Sequence, residues 1–507
     1  MSRPSAKPAL WKRLLRGLAV STVLLVAAVV ARFLWVTRDR QPGYSVELHH
    51  PHPAATAGAA GSLKVGFGRR DLNPDLKNPA EPVWMAGFSQ GRSATNIHDN
   101  LEAVGVVIDN GQHRIALVSI DAIGFFHDDV VAVRKRLSAD LKVDYTVVCS
   151  THNHSTPDLL GLWGPDPFHS GVNPRYREQV IAACVGVVND AVKALQPARM
   201  AAHELTVSPA GLVADTRKPE VYDPDVRVLH FVDATGGKTL GTLVGWANHP
   251  ETPWSDNRDI TADFPGIIRE SLEKGIRYGG TLHKPGLGGV HVYVNGAVGG
   301  LMTTHPSVTV HDPFLKTDFK EPSHDKTRAV GNQIASRILD RIASAKDAGV
   351  AALPIGIEVR TLDLPLRNTG FMLASMLGLL DRGHSRWLHF RTEVGILWLG
   401  EVSMACIPGE VYPEIVNGGI VRAPGGDYDI EPLEVPPLRE LMPGRVKFVL
   451  GLANDEIGYI IPKSEWDNEP PHLFGAPGAP YGEVNSVGPD TAWILHQALR
   501  RQCEALK

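Results

Sequence analysis

The feature that most constrains this chain is the run Tyr145-Thr146-Val147-Val148-Cys149-Ser150-Thr151-His152-Asn153-His154-Ser155-Thr156-Pro157. Its apolar, β-branched start predicts a buried strand, and the polar and proline residues after it predict that the strand leaves the core there. In an extended segment, residues two apart point to the same side, so His152 and His154 are aimed into one cleft. The pattern recurs along the chain. Leu243-Val244-Gly245-Trp246 is a second apolar run that delivers His249 ahead of Pro250. Met404-Ala405-Cys406-Ile407 breaks at Pro408-Gly409 and presents Glu410. A fourth run, ending at Leu452, leads through Asn454-Asp455-Glu456-Ile457 to Gly458-Tyr459. Four polar groups therefore stand where apolar strands run out of a core.

Two histidines and a carboxylate with an open position form the ligand set of a catalytic zinc site. Zn²⁺ brings the pKa of a bound water from about 15.7 to near 7 and polarises a carbonyl, which is hydrolase chemistry. Each residue also has a structural reading of its own. Glu410 can cap a helix, Tyr459 can pack as an aromatic, and His249 can be a satisfied core histidine.

The 507 residues are 43% hydrophobic, which is ample for a folded core. A formal net charge of −4, with no long basic block beyond the N-terminus, argues against nucleic-acid binding. Cys149, Cys184, Cys406 and Cys503 are far apart and lack metal-ribbon spacing, so neither a zinc ribbon nor a disulfide scaffold is expected.

Residues 1–37 read as a basic tip and an apolar anchor. Arg3, Lys7, Lys12, Arg13 and Arg16 precede the run from Gly17 to Ala31; Arg32 interrupts it, and Phe33-Leu34-Trp35-Val36 extends it to spanning length. The charge distribution predicts a cytoplasmic N-terminus and an exported remainder; cleavage after Val29-Val30-Ala31, giving a secreted protein, is the alternative. Residues 38–62, rich in Pro, Ala, Gly and His, read as a flexible tether. The span 63–507 then reads as one catalytic unit. Its strand-like runs, from Ala103–Ile108 to Val402–Ile407, interleave irregularly with helix-like runs at Asp128–Leu141, Arg175–Leu195, Phe264–Lys274, Thr327–Lys346 and Asp490–Ala505. That pattern predicts an α/β fold of mixed sheets with helices outside. Asp263 reads as part of a helix N-terminus.

Taken in order, these residues resemble the catalytic region of the neutral ceramidases, zinc-dependent amidohydrolases that cleave the N-acyl bond of ceramide. The resemblance is carried by Val65-Gly66-Phe67-Gly68-Arg69-Arg70-Asp71-Leu72-Asn73-Pro74, Met85-Ala86-Gly87-Phe88, Gln90 and Ile97-His98. It continues through Ser150-Thr151-His152-Asn153-His154-Ser155, Asn248-His249-Pro250, Pro408-Gly409-Glu410, Gly458-Tyr459, Lys463-Ser464-Glu465-Trp466 and Tyr481-Gly482-Glu483. It implies a four-layer α-β-β-α domain in which His152, His249, Glu410 and Tyr459 bind one Zn²⁺. It further implies that His154, Arg217 and Tyr481 surround the reacting carbonyl of a lipid or amphiphilic substrate at a membrane. Two departures stand out. Gly299-Gly300-Leu301-Met302 replaces the family's Gly-Asp-Val-Ser-Pro, so a serine nucleophile is not supported, and the family's C-terminal β-sandwich has no counterpart among these residues. The competing expectations are a metal-dependent hydrolase of another amide, ester or lactone, and a non-catalytic, membrane-anchored relic.

Overall fold

The computed structural model describes residues 10–52, 61–78, 80–347, 349–422 and 424–507. Arg3 and Lys7 of the basic tip, and residues 53–60 of the tether, lie outside the described residues. Thirteen strands form the two main sheets. They are β1 (Glu47–His50), β2 (Lys64–Asp71), β3 (Glu102–Asp109), β4 (Arg114–Ile120), β5 (Tyr145–Ser150), β6 (Gln196–Thr206) and β7 (Asp225–Asp233), then β8 (Thr239–Trp246), β9 (Val290–Asn295), β10 (Ile355–Pro365), β11 (His389–Leu399), β12 (Val402–Cys406) and β13 (Val446–Leu450). The eight-stranded sheet has the order β9-β8-β7-β6-β2-β3-β4-β5, and the five-stranded sheet β1-β10-β11-β12-β13. Neighbours are antiparallel except β8/β9, β4/β5 and β12/β13. The principal helices are α1 (Leu10–Val36), α2 (His127–Arg136), α3 (Pro174–Lys193), α4 (Asp263–Lys274), α5 (His324–Ser344), α6 (Thr369–Leu377) and α7 (Thr491–Leu506).

Alternation along the strands decides the layering. Val106, Leu117, Val147 and Leu243 of the large sheet interdigitate with Ile357, Leu397, Met404 and Phe448 of the small one, so the two sheets bury one face against each other. The outer face of the large sheet is covered by α2 and α3 over one half and by α4 and α5 over the other. The outer face of the small sheet takes α7 through Leu495, Leu499 and Cys503. This is the four-layer α-β-β-α arrangement that the resemblance implies, and it has the mixed sheets with helices outside that the pattern of runs predicts. Helix α3 shows why a segment folds as it does. The Asn173 side chain accepts from Arg175 N and Tyr176 N, Pro174 opens the first turn, and Val180, Cys184, Val187 and Ala191 form the buried stripe.

Two long strands lacked a clear pattern in the sequence. Strand β10 carries Glu358, Arg360 and Asp363 among its apolar residues, and β6 opens on Gln196-Pro197. The tether also differs from expectation, because Glu47–His50 pairs antiparallel with Ile357–Arg360 as the edge strand β1, and Gly61–Ser62 pairs with Ala352–Leu353. All four cysteines are free and buried.

Both edges of the large sheet are closed by one segment of the small one. After β13 the chain runs between β9 and β5: Gly451 N donates to Asn295 O at 3.0 Å, Ser150 N to Leu452 O at 3.2 Å, and Asn454 N to Val148 O at 2.7 Å. A buried polar cluster fixes the crossing. Arg134 on α2 forms a bidentate pair with Glu393 on β11, both bonds 2.8 Å, and Glu393 also accepts from the Tyr145 hydroxyl. Asn454 Nδ2 donates to Tyr145 Oη at 2.8 Å. Burial alone would raise the Glu393 carboxyl, but the Arg134 charge and hydrogen bonds outweigh it and hold it below its ordinary value. Removing one member leaves an uncompensated buried charge. Glu393→Ala is therefore expected to lower the unfolding free energy by about 3–5 kcal/mol in denaturant titrations, whereas Arg134→Met with Glu393→Leu recovers most of that loss.

Candidate metal centre and active site

Two loops at one end of the large sheet carry the histidines. The first leaves β5 and is fastened to the segment after β4: Thr151 N donates to Ile120 O and Asn153 N to Ala122 O, each at 3.0 Å. His152 itself takes a positive φ of 65°, a conformation uncommon for a side-chain-bearing residue. The second loop leaves β8, and it is joined to the first because His154 N donates to Pro250 O at 3.0 Å. The strongest tie between them is Asn295 at the end of β9. Its buried Nδ2 donates to Thr151 O and to Asn248 O, both at 2.9 Å, the two carbonyls immediately preceding His152 and His249.

The third arm comes from the small sheet. Past β12, the Pro408-Gly409 turn places Glu410 in a short parallel pairing in which Glu410 lies beside Tyr459 and Val411 beside Ile460. Gly458 makes this possible. Its φ is 78°, and a Cβ there would lie 1.8 Å from Asn485 O, so a side chain is excluded by both torsion and space.

The side chains converge. His152 Nδ1 donates to Ile123 O and His249 Nδ1 to Met302 O, each at 2.8 Å. With Nδ1 protonated, each ring turns its Nε2 toward the same carboxylate oxygen, Glu410 Oε2, at 3.2 Å for His152 and 3.0 Å for His249. His154 Nε2 lies 3.5 Å from His152 Nε2, and one nitrogen from each of the three imidazoles lies within 4.8 Å of the others. Two ring lone pairs aimed at one anionic oxygen are mutually satisfied by a cation between them, and carbonyl-held Nδ1 atoms are the usual outer support of metal-ligating histidines. The donor set present fits a divalent metal.

Charge and burial act together on these groups. Burial would raise the Glu410 carboxyl, yet His152 and His249 hold it far below the ordinary carboxylate range. Burial works against a charged His249, and the Glu410 hydrogen bond and charge overcome it, so His249 is raised. His154 is pushed well down, first by burial and then by the neighbouring imidazoles. Its Nδ1 lies 3.3 Å from Glu251 Oε2. Tyr459 is raised, by burial first and then by Glu410, and so keeps its proton.

A partly open cavity adjoins this cluster. His152, His154, Glu410, Glu456, Tyr459 and Tyr481 line it together with Ile123, Phe126, Leu160, Trp163, Phe371 and Phe390. Gly87 and Phe88 of the N-terminal motif are also at its wall, and the Phe88 ring sits 5.2 Å from that of His154. Arg217 does not share this lining. Its guanidinium is paired with both oxygens of Glu483 at 2.8 Å, donates to Glu465 O, and faces a neighbouring cavity bounded by Phe474 and Pro480. Tyr481 borders both cavities and lies 6.0 Å, ring to ring, from Tyr459. Arg217, expected beside the reacting carbonyl, borders that neighbouring cavity, and its charge is matched by the buried Glu483 carboxylate. Asp263 opens α4 as expected, and its carboxylate also accepts from Thr252 N at 2.9 Å, steadying the His249 loop.

No protein-family model matches the chain, and no curated protein matches it. Its shape does match solved structures. The crystal structure of neutral ceramidase from Pseudomonas aeruginosa superposes with a TM-score of 0.66 at 17% identity, covering 88% of this chain and 74% of that one. A ceramidase complexed with C2 gives 0.64 at 15% identity, covering 88% and 75%. The chain has the neutral ceramidase fold.

Within this ceramidase-like framework, several contributors to the site carried no signal in the sequence. The carbonyls of Ile123 and Met302 are main-chain atoms that any residue would supply. Met302 belongs to the stretch that departs from the family motif, and it serves His249 through its backbone. Asn295 and Glu251 gave no signal, although Asn295 is visible in retrospect as a polar residue closing an apolar strand. Asn295→Leu is expected to weaken binding of a divalent metal by about 10–100-fold in competition titrations, because the two histidine loops lose their common tie.

Proposed function

We propose that this chain is a membrane-tethered, metal-dependent amidohydrolase that cleaves the N-acyl bond of ceramide or a related N-acyl lipid. The observation that carries the proposal is the meeting of His152, His249 and Glu410, from both sheets, at the polar end of a largely apolar cavity. His152, His249, Glu410 and Tyr459 would hold Zn²⁺, which supplies a Lewis acid and an ionisable water near neutral pH.

The chain's own groups divide the remaining work. The apolar wall, including Phe126, Leu160 and Phe390, takes an acyl chain and leaves the amide among the polar groups. Glu410, ionised in the resting site, accepts a proton from the attacking water. His154 starts uncharged because burial and two imidazoles disfavour its cation. The proton that Glu410 takes from the water is the one the amine nitrogen needs as the C–N bond breaks, and neutral His154, whose Nδ1 lies 3.3 Å from Glu251, hydrogen-bonds the carbonyl oxygen as negative charge builds on it. Tyr481 is placed to hold the leaving amine. Arg217 acts through Glu483, which belongs to the same short helix, Tyr481–Val484, and so positions that tyrosine.

The Gly299–Met302 stretch favours a second reading, hydrolysis of a different amide, ester or lactone. It offers no serine or aspartate to a sphingoid headgroup, and its role here is to anchor His249. A panel of N-acyl sphingoid bases, other N-acyl amines, esters and lactones, assayed with the full chain and zinc, separates the two readings. Ceramide turnover is expected to dominate, and turnover of only the other classes would select the second reading. His154→Ala is expected to lower kcat by about 10²–10³ with bound metal retained, whereas His249→Ala loses metal and activity together. A chain that holds no metal and ignores chelators would instead be a relic.

A further inference from the structure

Helix α1 is apolar over Trp11–Val36 and unburied, and it is long enough to cross a bilayer. Its exit from that span is not free. Arg32 donates to Leu377 O at 2.9 Å, the Phe33 ring packs edge-on to Trp387 at 5.2 Å, and Arg38 stacks on Trp35 at 3.7 Å. The next residues clamp onto the body: Asp39 takes a bidentate pair from Arg391, Arg40 pairs with Asp381 at 2.7 Å, and β1 then joins the small sheet.

Helix α6, against which α1 ends, has no charged residue from Asn368 to Leu380. Its free face exposes Leu373 (58%) and Leu377 (41%), and Trp387 beside it is 57% exposed. The opposite side of the same segment enters the cavity through Phe371 and Leu380. Asn368, which caps α6, also donates to Val484 O and Ser486 O, next to the cavity-lining Asn485 and Val487.

We infer that the Leu373, Leu377 and Trp387 face is seated in the outer interface of the same bilayer that α1 spans, so that the cavity opens onto the lipid and receives a long-chain substrate laterally. The occupant of this face is lipid, because the helix of spanning length ends against it through Arg32 and Phe33, so that insertion of α1 brings the exposed apolar face to the bilayer surface. Delivery of substrate rests on the amidohydrolase reading, whereas seating of the face does not.

Two measurements test these parts separately. The native cysteines are buried, so Leu373→Cys, Leu377→Cys and, as a distant control, Val350→Cys each accept one fluorophore on the full chain. In phosphatidylcholine vesicles carrying nitroxide acyl chains, labels at 373 and 377 are expected to be quenched several-fold more than the label at 350. Equal quenching at the three positions, or a response that depends on protein concentration and so reports a second copy, overturns the seating. In the second measurement, Leu373→Asp with Leu377→Asp is expected to reduce hydrolysis of a bilayer-embedded N-acyl substrate by about tenfold or more, the factor corresponding to loss of one buried leucine. Turnover of a short-chain, water-soluble analogue stays unchanged. Equal loss on both substrates overturns lateral entry, while absence of any hydrolysis by the parent chain overturns the amidohydrolase reading and leaves the quenching result to decide the seating.

Discussion

The side-chain amide of Asn295 is the joint on which the site depends. Its two N–H groups reach the carbonyls before His152 and His249, and its oxygen accepts from Asn248 N and Gly296 N. All of its hydrogen-bonding capacity is used in a buried position, where an unmade bond costs about 1–3 kcal/mol. The two histidines come from β5 and β8, which are not neighbours in the eight-stranded sheet. They meet because β9, at the opposite edge from β5, approaches it through Asn295 and through the Gly451–Asn454 segment. A loop-built site therefore has the rigidity of strand ends.

From that joint the electrostatics follow. Three imidazoles and a carboxylate in a buried pocket are costly unless their charges are matched. The low position of Glu410, the raised His249 and the suppressed His154 are three expressions of one demand for a single positive centre. Glu456, buried beside them, is pushed up by burial and then by the charge of Glu410.

Much of this was legible in the sequence because it rests on short-range pattern. Apolar, β-branched runs that stop at polar or Pro-Gly residues marked β4, β5, β8, β9 and β12, and with them the places where His152, His249 and Glu410 emerge. What escaped was non-local or made of main chain. The carbonyls that orient His152 and His249 carry no residue identity. Arg217 sits near the site in sequence order, but its carboxylate partner lies 266 positions away, so its neutralisation by Glu483 could not be read from spacing. Strand β10 hid its sheet character behind charged residues because only part of its length is buried on both faces. Strand β1 was hidden by a composition typical of linkers; it is ordered by pairing with β10, not by any propensity of its own.

That pairing has a meaning beyond attachment. Strand β10 is eleven residues long, and among the described residues its outer edge is paired with the four residues of β1, flanked by Val46, whose N donates to Thr361 Oγ1 and whose O accepts from Thr361 N. A molecule cut between β1 and β2, and so losing β1 together with α1, would retain its core yet bare a row of unpaired amides, the kind of border along which sheets from separate molecules fuse. The strand thus covers a sheet edge as well as joining α1 to the body, and its loss would leave that edge open to self-association.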